Sequence, residues 1–269
     1  MKFLGQHFLK NRGVIEKIIG AIDPKTEDVI VEIGPGHGEL TAALRNAMRI
    51  IAIEKDHTLI EPLHQRASNE QWKNVEIVEG DALKILPSII NNIGNKASCI
   101  KIVGNIPYYI TGHLLRVIGE LEIKPARCVF MVQKEVAERI AAAPPKMNRL
   151  AASVQFWAKP EIVARIPRGD FSPPPEVDSA VIELGANHPG TNEKVHAKRY
   201  YAAVHALFAQ PRKTILNNLA AKGGQKQDLA KSLATLGLDP ESRPQNLTVE
   251  DIHAIANLTF WDEAAGTAQ

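Results

Sequence analysis

Cysteine is scarce in this chain, with two in 269 residues; aromatic residues make up only 5 %, and the formal net charge is only +2. Cys99 and Cys128 lie in separate apolar runs and show no metal-ligand spacing. Neither a disulfide framework nor a metal site is therefore expected, and a reducing compartment is the default. No apolar run approaches the ~20 residues of a membrane helix. Met1-Lys2-Phe3-Leu4 passes at once into polar residues, unlike a secretory leader. A soluble, cytoplasmic protein without membrane contact is expected. The charge balance permits a nucleic-acid partner without indicating one, so phosphate contacts must come from local clusters of Lys and Arg. A 45 % hydrophobic content is enough for one large domain and a small one.

What is present is organised around Gly104-Asn105-Ile106-Pro107-Tyr108. The apolar run Cys99–Val103 precedes it and reads as a buried strand. Leu114, Leu115, Ile118 and Leu121 share one face of a helix that follows. An amide, a proline and a ring thus fall at the carboxyl end of a strand, the edge where open α/β sheets bind ligands. These groups suit an amine that is a poor nucleophile, such as the exocyclic nitrogen of adenine. The Asn105 side-chain carbonyl and the Ile106 backbone carbonyl can each accept one N–H. Pro107 fixes its own φ and biases Ile106 toward an extended conformation. Tyr108 can stack on the base, a contact worth roughly 1–3 kcal/mol. A plain strand-to-helix turn also fits these residue types.

Three other strand ends carry matching signals. Val29–Ile33 runs into Gly34-Pro35-Gly36-His37-Gly38, whose glycines allow close backbone approach to a ligand. The spacing is neither that of the dinucleotide fingerprint nor that of a Walker loop. Glu-x-Gly-x-Gly-x-Gly after a first strand points instead to S-adenosylmethionine, although an ordinary glycine-rich turn remains open. Ile50–Ile53 ends in Glu54, about 20 residues beyond Gly34, where a carboxylate can take ribose hydroxyls. Asp56 is a candidate N-cap for the next helix. Val75–Glu79 ends in Gly80-Asp81-Ala82; the Asp81 carboxylate can accept an adenine amine, or the pair can be a turn.

A fifth strand, Cys128–Val132, leads into Gln133-Lys134-Glu135-Val136. Lys134, Arg139, Lys146 and Arg149 can face a phosphate backbone or form a solvated face. A closing strand pair, Glu161–Ile166 and Ala180–Leu184, flanks Phe171-Ser172-Pro173-Pro174-Pro175-Glu176-Val177-Asp178-Ser179. This stiff loop can hold Phe171 against a flipped base, or Phe171 can be the packed aromatic of a structural corner. Residues 186–192 read as a linker between domains spanning 1–185 and 193–269. The second is helical in pattern throughout. Gln210-Pro211-Arg212-Lys213 reads as a helix start with two cations, which the helix dipole disfavours unless an outside anion is present. Near the start, His7 is either a surface residue or part of a flap over a ligand.

Together these stretches, with Gly5-Gln6-His7-Phe8-Leu9 and Arg212-Lys213-Thr214, resemble the small-subunit ribosomal RNA adenine dimethyltransferases of the bacterial KsgA/RsmA type. The resemblance covers nearly the whole chain. It implies an α/β Rossmann-like class I methyltransferase sheet, mostly parallel with one antiparallel strand near the edge, plus a small all-α C-terminal domain. It implies S-adenosylmethionine as cofactor, with contacts at His7, Leu9, Gly34, Gly36, Glu54, Asp81, Ala82 and Asn105. Catalysis falls on Asn105, Ile106, Pro107, Tyr108 and Phe171, and RNA binding on Lys134, Arg149, Arg212 and Lys213. The implied reaction is N6-dimethylation of two adjacent adenosines near the 3′ end of small-subunit (16S) rRNA, in a pre-30S particle and by a monomer. The chain departs from the family at Met147-Asn148-Arg149-Leu150-Ala151-Ala152-Ser153, where relatives often carry Tyr-Gly-Arg-Leu-Ser-Val; Arg149 and Leu150 match and the flanking residues do not. An erythromycin-resistance-type 23S rRNA methyltransferase shares the Asn-Ile-Pro-Tyr chemistry, but the triple-proline loop argues against it. A ribosome-assembly factor with methylation secondary is the reading from another class. A nicotinamide dehydrogenase is weakest, for want of the glycine spacing and of an acid/base pair.

Overall fold

The computed structural model describes residues 8–9, 11–94, 99–187, 193–258 and 260–261. It separates into two compact units, Met1–Glu138 with Ala158–Ala186, and Arg139–Trp157 with Asn187–Gln269.

The first unit is built on a seven-stranded sheet. Strands β2 (Asp28–Ile33), β3 (Arg49–Glu54), β4 (Val75–Glu79), β5 (Cys99–Asn105) and β6 (Arg127–Gln133) are joined through helices. All four pairings among them are parallel. Strands β7 (Ala158–Ile166) and β9 (Ser179–Ala186) complete the order β4-β3-β2-β5-β6-β9-β7. β9 runs antiparallel to both neighbours, so the expected single reversed strand sits one place in from the edge. Residues 28–33 are all buried, as a central strand covered on both faces requires. The strand order reverses between β2 and β5, where Ile33 pairs with Gly104. That switch point opens a crevice at the carboxyl ends of the strands. A separate short pair joins β1 (Phe8–Leu9) to β8 (Phe171–Ser172), with Leu9 opposite Phe171.

Three helices of this unit begin where a side chain satisfies one of their first N–H groups. Asn11 caps α1 (Arg12–Ile22), Asp56 caps α3 (His57–Asn69), and Asp81 caps α4 (Ala82–Ile93). α1 buries Val14, Ile18, Ala21 and Ile22 on one stripe, and it stops where Asp23 turns left-handed at φ 47°. Each large aliphatic side chain so buried contributes about 1.5–3 kcal/mol. α2 (Glu39–Ala43) and α5 (Thr111–Glu120) follow β2 and β5.

The second unit contains α7 (Arg149–Gln155), α8 (Glu193–Leu207), α9 (Ile215–Ala220), α10 (Lys226–Thr235) and α11 (Val249–Ala256); the division falls within α6 (Lys134–Ile140), after Glu138. It has no strand among its described residues. Residues 139–157 therefore interrupt the continuous 1–185 domain expected from sequence and group with the C-terminal helices. The cause is aromatic packing. Phe156 stacks on Tyr200 at 4.5 Å, and the buried Tyr200 hydroxyl donates to the Ala152 carbonyl at 3.0 Å. The departure at 147–148 also has a local account, since Met147 is buried and Asn148 caps α7 through Leu150 and Ala151. The expected linker lies largely at 188–192, outside the described residues.

Candidate active site

The crevice at the switch point is a cleft of about 1200 Å³ including its open mouth. Its wall starts with the glycine loop. Gly34, Gly36 and Gly38 have φ of 70°, 60° and 90°, the region that favours glycine. A Cβ on Gly38 would also stand 2.7 Å from the Trp72 ring. Glu54 lines the cleft, and its buried carboxylate pins the loop. Oε2 accepts from Gly36 N–H at 3.1 Å, and Oε1 from the Lys55 and Asp56 N–H groups, both at 2.8 Å. A carboxylate has about four lone-pair positions, so roughly one remains for an external hydroxyl. Taking both hydroxyls of a ribose would displace one of these bonds.

Asp81 works twice. Oδ1 accepts from Leu83 N–H at 3.0 Å as the cap of α4, and Oδ2 accepts from the Lys55 ammonium at 2.9 Å. Burial works to raise the Asp81 pKa, but Lys55 and the Leu83 N–H outweigh it and hold the carboxyl below its ordinary value. Ala82 is buried beside it in the same wall. Glu32 lies deeper, fully buried on β2, where Thr41 Oγ1 donates to it at 2.6 Å. Burial pushes its pKa up to about 7, with Glu54 and Glu39 adding to the rise and Thr41 opposing it.

Opposite stands the end of β5. Asn105, Ile106, Pro107 and Tyr108 all line the cleft. Ile106 N–H donates to Met131 O at 3.0 Å and its side chain is buried, which anchors the turn from below. Pro107 sits at φ −53° and ψ 130° and opens a short 3-10 turn, Tyr108–Ile110. The Tyr108 hydroxyl is 2.8 Å from the buried Ser179 Oγ, so β9 fixes the ring's tilt. Partial burial raises the Tyr108 pKa and the Ser179 bond lowers it less, so the phenol stays neutral.

Among the described residues, the cleft's charged lining is Glu39, Glu54 and Asp81, with the protonatable Glu32 deeper, against Lys55. Such a lining repels a pyrophosphate and suits a ligand carrying positive charge beside hydroxyls and an amine. S-adenosylmethionine, with its sulfonium, ammonium, ribose and adenine, fits that donor set.

The model of the family described as "Ribosomal RNA adenine dimethylase" matches residues 1–260. The chain belongs to that family. A ribosomal RNA small subunit methyltransferase A of Dehalococcoides mccartyi (strain CBDB1) is 39 % identical over 252 residues, 93 % of this chain and 85 % of that protein. The protein of the same name from Nitrosococcus oceani is 36 % identical over 270 residues, 98 % of this chain and 96 % of its own. Among solved structures, a dimethyladenosine transferase from Plasmodium falciparum superposes with a TM-score of 0.79 at 28 % identity, covering 96 % of this chain and 98 % of that one. The 23S rRNA methyltransferase ErmE shares the fold, with a TM-score of 0.73 at 23 % identity over 93 % of this chain and 98 % of its own.

Set against the family expectation, the structure gathers Gly34, Gly36, Glu54, Asp81, Ala82 and Asn105–Tyr108 around one cleft. Phe171 is a correction. It is 4 % exposed and packs in the core with Val14, Ile18 and Val181, so it is not a face waiting for a base. The proline loop sets the ring inward, the alternative that the sequence left open. Tyr109, by contrast, lines the cleft at 63 % exposure and was missed, as were Glu32, Lys55 and Ser179. Glu32, Lys55 and Ser179 stood inside recognised stretches, Lys55 between Glu54 and Asp56, whereas nothing local marked Tyr109. His7 lies outside the described residues, and of Leu9 only the strand pairing is described.

Of the RNA-binding candidates, Lys134 is half-buried at the start of α6 in the first unit. Arg149 is exposed as the first residue of α7 in the second. Arg212 and Lys213 are exposed in a turn before α9 and not in its first turn, because Thr214 is the cap. The dipole argument for an anion there falls away with that placement.

Proposed function

We propose that the protein methylates N6 of adenosine in small-subunit (16S) rRNA with S-adenosylmethionine, twice on each of two adjacent adenosines near the 3′ end. The observation that carries this reading is the convergence of an acidic, glycine-walled cleft with Asn105-Ile106-Pro107-Tyr108 across one switch point, in a chain of the rRNA adenine dimethylase family. The donor supplies a methyl carbon bound to a cationic sulfur. Gly34, Gly36, Glu54, Asp81 and Ala82 are the residues to hold it. In the first transfer the Asn105 side-chain carbonyl and the Ile106 carbonyl accept the two N–H groups of the target amine and aim its lone pair; in the second, one of them holds the single N–H that remains. Tyr108, steadied by Ser179, stacks on the base. The methylated nitrogen is acidic and loses its proton to water, so no strong base is required. Orientation of this kind supplies up to roughly 7–11 kcal/mol.

The substrate in this reading is a pre-assembled small-subunit particle, met through Lys134, Arg149, Arg212 and Lys213 by a single chain in the cytoplasm. The test is to incubate the protein with undermethylated ribosomal subunits and methyl-labelled S-adenosylmethionine. Label in two neighbouring adenosines of the small subunit is the expected result. Label in the large subunit would overturn it.

A further inference from the structure

The helical unit holds a buried amide that the methyl-transfer chemistry does not use. Asn218, on α9, is 3 % exposed. Its Nδ2 donates to the carbonyls of Gln210 at 3.0 Å, Thr214 at 3.1 Å and Lys213 at 3.3 Å, and its Oδ1 accepts from Gln210 N–H at 3.1 Å. The side chain thus acts as a peptide group would, exchanging both hydrogen bonds with Gln210. It gathers three carbonyls of one short loop with the two hydrogens it has. The loop closes further through Lys213 N–H to Gln210 O at 2.9 Å, and Thr214 Oγ1 accepts from Asn217 N–H and Nδ2 at 3.3 and 2.8 Å.

What this amide orders is the loop. Pro211, Arg212 and Lys213 are exposed and bring no apolar burial of their own, whereas α9 is seated by the buried Ile215 and Leu219. Without Asn218 the loop's carbonyls could turn to water, and the helix would keep its apolar contacts. Two adjacent cations on a loose loop must be ordered when they bind, which weakens binding. On a clamped loop that ordering is already done.

We propose that Asn218 is a positioning residue for RNA binding: it holds the Gln210–Thr214 loop in the shape that presents Arg212 and Lys213 together to an RNA backbone. The proposal rests on the reading that these two cations contact RNA.

The test is a mutant cycle on the full chain, with undermethylated small subunits as the probe. Four proteins are compared: the parent, Asn218→Leu, Arg212→Ala/Lys213→Ala, and the triple variant. Affinity is measured across a salt series, with KM and kcat for methyl transfer alongside. The expected pattern is about tenfold weaker binding for Asn218→Leu, an equal or larger loss for the double variant, and no further loss in the triple. KM rises and kcat holds. If the double variant is weakened but Asn218→Leu binds like the parent, or the triple is weakened additively, the clamp is refuted and the cation reading stands. If the double variant binds like the parent, the cation reading fails and the clamp with it. Should Asn218→Leu not fold, Asn218→Asp keeps the acceptor for Gln210 N–H and loses the donor to the carbonyls. The same pattern is then expected, and the same outcomes refute it.

Discussion

Replacing Asn105 by Ala removes one of the two acceptors assigned to the target amine while leaving the glycine loop, Glu54 and Asp81 in place. By analogy with the loss of one preorganised polar group from a site, kcat should fall about 100- to 1000-fold. Affinity for S-adenosylmethionine, read by calorimetry, should change far less, and a kcat within twofold of the parent would dismiss the role. Glu32 offers a second test, read in pH. Burial lifts its pKa from 4.5 to about 7. Between these values the folded chain binds a proton that the unfolded chain does not. The stability linked to this group is therefore complete below pH 4.5 and is lost as pH rises through about 7, on the order of 3 kcal/mol in all. Glu32→Gln lacks the proton and keeps an acceptor for Thr41. Denaturant unfolding of the ligand-free proteins should show the variant gaining on the parent from about pH 5 to about pH 8, and parallel pH curves would contradict the assignment.

One element fixes the distance between the two halves of the cleft. β5 lies against β2 with Gly104 opposite Ile33, and a Cβ at 104 would stand 2.5 Å from the Ile33 carbonyl oxygen and 2.9 Å from Ile106 Cδ1. That oxygen belongs to a strand held on both sides and cannot retreat. Gly104→Ala should cost about 1–3 kcal/mol of stability and should also lower methyl transfer, because Asn105 shifts with the strand. Chemical denaturation and turnover together check this; an unchanged midpoint with normal turnover would mean that β5 has slack. The same strand shows what was legible in advance. Its apolar run, its ending in Asn-Ile-Pro-Tyr, and the acidic ends of β3 and β4 are local patterns of period and spacing, and sequence displays these directly. The inward setting of Phe171 was not legible, because an aromatic after a short turn packs or projects according to what lies beneath it, here a core cluster that includes Val14, Ile18 and Val181. Nor was the transfer of 139–157 to the helical unit, which depends on Phe156 meeting Tyr200 from more than forty positions away. Arg212 and Lys213 were misread as a helix start because the bonds that hold them in a turn come from Asn218, further along the chain.

At the scale of the whole molecule, a net charge of +2 cannot draw an RNA particle from a distance, and the donor cleft is itself acidic. Attraction must then come from a few cations whose contacts are counted by the salt dependence of binding. If Lys134, Arg149, Arg212 and Lys213 are the principal phosphate contacts, log affinity against log salt should have a slope of roughly −3 to −4, given about 0.7–0.9 per contact. Neutralising any one of the four should flatten the slope by just under one and weaken binding alike on every RNA tested. Lys55 supplies the control: it is exposed and basic, but it is paired with Asp81 at the cleft. Lys55→Met should leave the salt slope as it is and raise the KM for S-adenosylmethionine, since the Asp81 carboxylate loses the partner that orients it. A slope near −8, or an altered slope for Lys55→Met, would mean that the RNA is held by a different set of cations. Titrating undermethylated small subunits at about 50 to 200 mM salt, the range over which such slopes are usually read, decides between the two.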